Sequence, residues 1–458
     1  MATESPAITQ QTPVGELPRL LLILTEFPPR VGGMQTHAIY LSERLFARGY
    51  DVTVVTYRPD DAEEGDAAAA FDARLRFPVL RILSRLGFWR NLDVLEKLAE
   101  RVKPDIVYSS TVFYGLLRPR LSRPVLCRSV GNDVLRPWIA YPFRFGSRLL
   151  SLPRIERSLY RAFQHLEQPD WIAAIFRAAR HRLMEKSARE MDLILANSDY
   201  TADLLIAAGV NRDRISVLVG GVDFARFARP PFDRDTVRRE LGLPAGRFVL
   251  LTACRLEPKK GVDFLLTTFA RLRCEMSDAY LVVVGDGKES RRCREMAARL
   301  GIANDVRFVG RVPHDRVHAY YWAADLFVLA SREYVHRRTG QRDAETMGRV
   351  LCEANAASLP VLAARSGGIP SVIVDGQNGR LFRPDDFDDF REKLLELRAD
   401  PFLRARLTKH GEALAREQFD WERIVEAHQR AFVDVRGDAF ARQAARGKAK
   451  LASGPAQS

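Results

Sequence analysis

The sequence predicts an α/β protein of two doubly wound, Rossmann-like domains facing a cleft. Three observations predict it. Short runs rich in Leu, Ile and Val alternate with helical patterns along most of the chain. Most of these runs are continuous rather than alternating, the pattern of parallel strands buried on both faces with helices as crossovers. At 458 residues the chain can supply two domains of roughly 200 residues each.

Residues 1–18 are polar and contain acids but no Lys or Arg. They lack the charged start and apolar stretch of a secretion signal, so a disordered N-terminus and a cytoplasmic protein are expected. The first domain is expected over 19–222. Its strands are Leu20–Thr25, Val52–Thr56, Asp105–Tyr108, Val125–Val130, Leu193–Asn197 and Ile215–Val219. Residues 134–190 interrupt this rhythm with Trp138, Tyr141, Phe143, Phe145, Trp171 and Phe176. From Tyr141 to Glu190 there are ten Arg or Lys against five acids. Trp171, Ile172, Ile175, Phe176, Ala179 and Leu183 recur at helical spacing. That stretch reads either as a helix packed on the domain with a solvated basic side or as an interfacial patch on anionic lipid.

A linker is expected over 223–246, where prolines cluster and strand formers are few. The second domain, 247–410, has strands at Phe248–Ala253, Tyr280–Val284, Val306–Val309, Leu326–Ala330 and Pro360–Ala363. A helix over 411–436 is expected to cross back to the first domain. Residues 437–458, rich in Ala, Lys, Arg, Gly and Ser, read as a disordered tail.

Composition narrows the function classes. No apolar run approaches the ~20 residues that span a bilayer. The five cysteines include no CxxC pair, so reduced thiols are expected rather than a zinc ribbon or disulfide framework. The net charge of +13 suits nucleic acid, anionic membrane or polyanionic small molecules. No RNP-like, zinc-finger or convincing helix-turn-helix signal accompanies it, so nucleic acid is not an expected partner.

Four motifs could carry chemistry. After the first strand, Gly32-Gly33 precedes a helical pattern. Such a turn is commonly only a turn, but it also lets backbone approach an anion at a helix N-terminus. Arg255 and Lys260 share the loop after the strand at Phe248. They form either a solvated basic loop or a clamp on a pyrophosphate, whose charge two cations nearly cancel. Glu345 and Glu353 are eight residues apart. On one helix they would sit ~12 Å apart along the axis and could not act as a pair. If a helix starts near Gly348, Glu345 lies in the preceding loop and Glu353 in the second turn. The amides of Met347, Gly348, Arg349 and Val350 then point at an anion. One carboxylate can bond sugar hydroxyls and the other a ribose; alternatively both are surface acids near a helix start. Ser366-Gly367-Gly368 and Val374-Asp375-Gly376 read as turns.

Taken in order, Gly32-Gly33, Arg255 to Lys260, Val283-Val284-Gly285-Asp286-Gly287, Val309-Gly310, Glu345 to Glu353, Ser366-Gly367-Gly368 and Val374-Asp375-Gly376 to Asn378-Gly379 resemble the retaining glycosyltransferases of family 4, which have the GT-B fold. The resemblance covers roughly Leu20 to Arg430 and is specific in its C-terminal half. It implies that Glu345 contacts the transferred sugar and Glu353 the nucleotide ribose. Arg255 and Lys260 would hold the diphosphate, with Gly285 in a matching turn. Backbone near Arg311 and Val312 would meet the base, and Gly33 would let the first domain close over the phosphates. It also implies retention of configuration, with the leaving phosphate assisting, and no required metal or other cofactor. The long loop Ser331–Ala344 looks like that of members using mannose donors.

One departure stands out. Many members carry a sugar-facing histidine after the fourth strand, where this chain has Val130; either Asn132 or Asp133 substitutes, or the contact is made differently. The leading expectation is therefore an enzyme moving a hexose from a nucleotide-diphosphate sugar to a lipid-linked or polysaccharide acceptor, peripheral at the inner membrane face. The second is a catalytically impaired, transferase-like nucleotide-sugar-binding protein, with Val130 as the clue and intact Arg255, Lys260, Glu345 and Glu353 against it. Two Asp-x-Asp pairs, Asp233/Asp235 and Asp386/Asp388, end no predicted core strand and are not expected to bind metal.

Overall fold

In the N-terminal half, seven short apolar segments stack side by side into one sheet. They are β1 (Arg19–Ile23), β2 (Asp51–Tyr57), β3 (Val79–Leu83), β4 (Ile106–Ser109), β5 (Val125–Ser129), β6 (Leu193–Ala196) and β7 (Ile215–Val217). All pair in parallel, in the order β3-β2-β1-β4-β5-β6-β7. The computed structural model describes residues 17–30, 32–165, 169–228, 233–336 and 339–452; most of the expected N-terminal tail, 1–16, lies outside them.

The C-terminal half repeats the plan with β8 (Phe248–Ala253), β9 (Ala279–Val284), β10 (Val306–Gly310), β11 (Leu326–Leu329), β14 (Val361–Ala364) and β15 (Arg380–Phe382). Their order is β10-β9-β8-β11-β14-β15, again parallel. Between β11 and β14, β12 (Tyr334–Val335) and β13 (Arg342–Asp343) form a small antiparallel ribbon. Each sheet reverses its winding once, between β1 and β4 and between β8 and β11. Loops at the carboxyl ends of those strands open the crevice where such sheets bind ligands.

Besides the ribbon, two strands escape the apolar-run reading. In β3, Arg81 splits the run Val-Leu-Arg-Ile-Leu. It is tolerated because β3 is an edge strand and Arg81 pairs with Asp72 at 2.8 Å. The second, β15 at an edge of the C-terminal sheet, has only three residues.

The expected linker is largely packed. Its helices Phe224–Phe227 and Arg234–Glu240 bury Phe227 and Val237 in the C-terminal core. The Arg238 guanidinium donates to the Ala323 carbonyl and to Asp325. Residues 229–232 lie outside the described residues. The strand-to-strand passage is instead at Gly220–Val222, where Val222 bridges Asp420. A Cβ on Gly220 would lie 2.7 Å from the Phe419 Cα.

The chain then returns. The helix Trp421–Ala452 places Val425, Phe432 and Val435 in one cluster with Leu20, Leu22, Tyr108 and Leu126 of the first domain. It also runs past Gly437, where a disordered tail is expected from the sequence, as far as Ala452. Residues 438–452 are mostly Ala, Arg, Lys and Gln without proline, strong helix formers that continue an existing helix. Residues 453–458 lie outside the described residues.

Candidate active site

Two loops at the β8/β11 crossover bring the C-terminal motifs together. The loop after β8 ends in the turn Pro258–Lys260, and the long loop after β11 ends at Gly348. Gly348 has φ 87 and is followed by the helix Arg349–Ala356. Glu345 therefore lies in the loop and Glu353 in the second helical turn. Lys260 Nζ donates to Glu345 Oε2, and both side chains are almost wholly buried. Burial works against the Lys260 ammonium, but the Glu345 carboxylate beside it prevails and its pKa is raised.

Neighbours fix this pair. Lys259 donates to Asp343 at 2.9 Å and to the Ala344 carbonyl at 3.1 Å. The Gly368 amide donates to the Glu345 carbonyl at 2.8 Å. A Cβ on Gly367 or Gly368 would lie 2.2 or 2.0 Å from the carbonyl oxygens of Glu345 and Thr346. Ser366-Gly367-Gly368, legible in sequence only as a turn, is thus the shelf under the Glu345 backbone.

Glu353 is held separately. Tyr321 Oη donates to its Oε2 at 2.7 Å. Its Oε1 lies 3.5 Å from Arg349 Nε and 3.7 Å from His314 Nε2. Burial pushes the carboxyl up, but His314, Arg349 and Tyr321 outweigh it and the pKa is lowered. Tyr321 and His314 carry no signal in sequence: Tyr321 reads as a core position of a helix, and His314 is a lone loop histidine.

Arg255 is exposed and loosely paired with Glu257 at 3.4 Å, so its guanidinium is available to a ligand. Arg311 is exposed just beyond β10, while Val312 packs on the C-terminal core. The Met347 side chain is core, leaving only its backbone for binding; Val350 is partly buried against the same cluster. Gly285 serves the strand ends. Its amide donates to the Gly310 carbonyl at 2.8 Å, and with φ 123 a Cβ would strike the Cys254 carbonyl at 2.0 Å.

The N-terminal domain meets this site directly. Arg349 Nη1 donates to the Gly33 carbonyl at 3.3 Å. Ser198 Oγ donates to the Thr346 carbonyl at 2.5 Å, and Arg136 pairs with Asp343 at 2.5 Å. Tyr200 and Arg177 reach the long loop at Glu333 and the Thr339 carbonyl. The two positions offered as substitutes for the missing histidine separate. Asn132 is exposed. Asp133 is buried, accepting from Ser129 Oγ at 2.7 Å and from the Val112 amide at 3.0 Å. Burial raises its pKa despite those bonds. Asp133 braces the chain after β5 and does not face the cleft, because its carboxylate found buried donors. Val130 is partly exposed beside Gly131, whose Cβ would meet Thr346 across the cleft at 2.8 Å.

The two Asp-x-Asp pairs open helices: Asp233 precedes Arg234–Glu240, and Asp386 accepts from the Asp389 amide at 3.0 Å.

Comparisons with known proteins match each half. Residues 31–226 match the family described as Glycosyltransferase Family 4, and residues 233–414 match Glycosyl transferases group 1. A GDP-mannose-dependent alpha-(1-6)-phosphatidylinositol monomannoside mannosyltransferase of Mycolicibacterium smegmatis is 29% identical over 405 residues, 88% of this chain and 95% of that protein. A D-inositol 3-phosphate glycosyltransferase of Streptomyces bingchenggensis is 32% identical over 260 residues, 55% of this chain and 54% of its own. The fold is similar to that of Anabaena HepE in complex with UDP, with TM-score 0.68 and 21% identity, over 91% of this chain and 100% of that one.

Proposed function

This chain is a glycosyltransferase assembled from a Glycosyltransferase Family 4 domain and a glycosyl transferases group 1 domain, and we propose that it moves mannose from GDP-mannose to a phosphoinositide-type lipid with retention of configuration. Hexose transfer from a nucleotide sugar to a lipid-linked or glycan acceptor is its activity; the donor, the acceptor and the residue roles are the proposal. The choice of mannose rests on the relative that aligns over nearly its whole length. The observation that carries the site assignment is the meeting of Lys260 and Glu345 from the two loops of the β8/β11 crossover.

In this reading Arg255, Lys260 and the amides of Met347–Val350 hold the diphosphate, adding cations and helix-end donors where negative charge grows as the sugar leaves. Glu345 bonds the sugar, Glu353 the ribose, and the backbone at Arg311 and Val312 the base. Gly33 closes over the phosphates, with Asn132 the polar group at the acceptor side. The acceptor approaches at the cytoplasmic face of a membrane to which the protein binds peripherally. No metal takes part.

Thermal scans with GDP-, UDP- and ADP-sugars test the donor, since a ligand that binds only the folded state raises Tm. GDP-mannose should give the largest rise; an equal or larger rise with UDP-glucose would refute the mannose assignment. Transfer should persist unchanged in excess EDTA.

A further inference from the structure

Outside the donor cleft, a cavity of about 360 Å³ opens at the carboxyl ends of β1, β2 and β3. Arg30, Arg58 and Arg85 line it from the loops after those strands. Arg157 and Tyr160 line it from the helix Pro153–His165 of the basic aromatic insertion. Arg30 lies three residues before Gly33, a span of at most ~10 Å, so the cavity borders the donor cleft.

The cavity's acids are already occupied. Asp60 pairs with Arg30 and Arg85, each at 2.7 Å. Asp61 caps a helix by accepting from the Glu64 amide at 2.9 Å. Glu156 accepts from Ser84 Oγ at 2.8 Å and from the Arg85 amide. The spare capacity consists of donors. Arg58 Nη2 is shared between the Ser151 carbonyl and Glu156, 3.6 Å away, but its Nε is shielded from solvent with no acceptor; Arg157 is exposed at the cavity. A neutral glycan needs acceptors as well as donors, whereas a phosphodiester needs donors only, and guanidinium groups suit it bidentately.

The segment leading into the cavity-lining helix exposes apolar side chains. Phe145, Leu149 and Leu152 are 90%, 59% and 43% exposed, and Leu152 immediately precedes the cavity-lining Pro153. Exposed Arg144, Arg148 and Arg154 are interleaved with them. This segment is fixed rather than loose: Arg58 and Arg90 donate to Ser151 at 3.1 and 2.9 Å, and Tyr141 Oη donates to the Phe145 carbonyl at 2.8 Å. Exposed apolar side chains flanked by Arg complement an anionic bilayer.

We infer that this cavity takes the phosphate-bearing headgroup of an anionic glycerophospholipid, while Phe145, Leu149 and Leu152 rest in the bilayer that holds its acyl chains. The inference rests on the reading of the chain as a transferase with a lipid-linked acceptor, and adds where that acceptor is gripped and by which group.

The test floats the whole protein with phosphatidylcholine vesicles containing or lacking phosphatidylinositol, and measures transfer to the incorporated lipid. Arg157→Ala and Arg58→Gln should each raise the acceptor KM roughly tenfold, the scale of one charge-assisted hydrogen bond, with the GDP-induced rise in Tm retained as evidence of folding. The double variant Phe145→Ser/Leu149→Ser should lose most vesicle binding. Wild-type acceptor KM in both arginine variants would overturn the inference. Equal binding to vesicles with and without phosphatidylinositol would do so too, as would competition by glycerophosphoinositol as strong as by the whole lipid. Selective vesicle binding that Arg157→Ala removes, without transfer by the wild-type protein to any acceptor, would sink the functional reading and leave the headgroup pocket standing.

Discussion

Lys260 and Glu345 form a largely buried ion pair, in which the Glu345 carboxylate raises the Lys260 pKa against the pull of burial. Removing one partner of such a pair costs about 3–5 kcal/mol, because it strands the other charge. A diphosphate would supply the missing anion. Glu345→Ala should therefore lower Tm and abolish transfer, yet gain more Tm on adding GDP than the wild-type protein does. Equal gains would show that Lys260 does not meet the diphosphate. After β5, Asp133→Ala should destabilise by about 1–3 kcal/mol by orphaning the Ser129 hydroxyl and the Val112 amide. Exposed Asn132→Ala should leave urea stability within about 0.5 kcal/mol but reduce kcat. The opposite pattern would exchange their roles. The sequence offered these two residues equally, since only burial separates them.

At the scale of elements, the helix Trp421–Ala452 is tied to the N-terminal sheet through titratable groups. His428 is buried, its Nδ1 bonded to the Ile424 carbonyl at 2.7 Å and its Nε2 3.3 Å from Tyr108 Oη. The His37 ring lies tilted 5.7 Å away, and Arg128 donates to the carbonyls of Leu218 and Gly220 at the passage between the sheets. Burial, aided by Arg128, holds His428 down to about 3 from 6.5. The folded pKa is depressed for a group charged when protonated, so below pH 6.5 the unfolded chain binds the proton and the folded one does not. Stability is full above that pH and falls as pH drops toward 3. His428→Phe should flatten the Tm profile over this range, and parallel profiles would refute the assignment. Continuous apolar runs made most strands legible. The ones that escaped were the edge β3 and the ribbon β12/β13, where partial burial removes the hydrophobic signature, and β15, whose three residues are too short a run to stand out.

Across the whole molecule, closure is held by many small contacts, among them Arg349 to Gly33, Ser198 to Thr346 and Arg136 to Asp343. Single hydrogen bonds contribute about 0.5–1.5 kcal/mol and exposed ion pairs ~0–1 kcal/mol, so losing one should not open the cleft. Steric fit is less forgiving. Gly131 has φ 79, and its Cβ would lie 2.4 Å from Thr201 Oγ1 and 2.8 Å from Thr346. Gly131→Val should keep the two domains apart, raising the radius of gyration in solution scattering and cutting kcat, while the C-terminal half still binds GDP. An unchanged scattering profile would count against closure through this contact. Among the described residues no helix is long and apolar enough to cross a membrane.

By itself the sequence determined the two doubly wound domains, because strands buried on both faces must be apolar throughout and the crossovers must be helices. It also determined the ordered loop and helix-end motifs, because turns and helix ends demand particular residues at fixed spacing. Only the tertiary structure decided that Lys260 faces Glu345, that Tyr321 and His314 hold Glu353, that Asp133 is a brace, and that Arg58 and Arg157 share a cavity. Those pairings join residues from different strands and loops, and distance along the chain carries no information about which buried charge meets which.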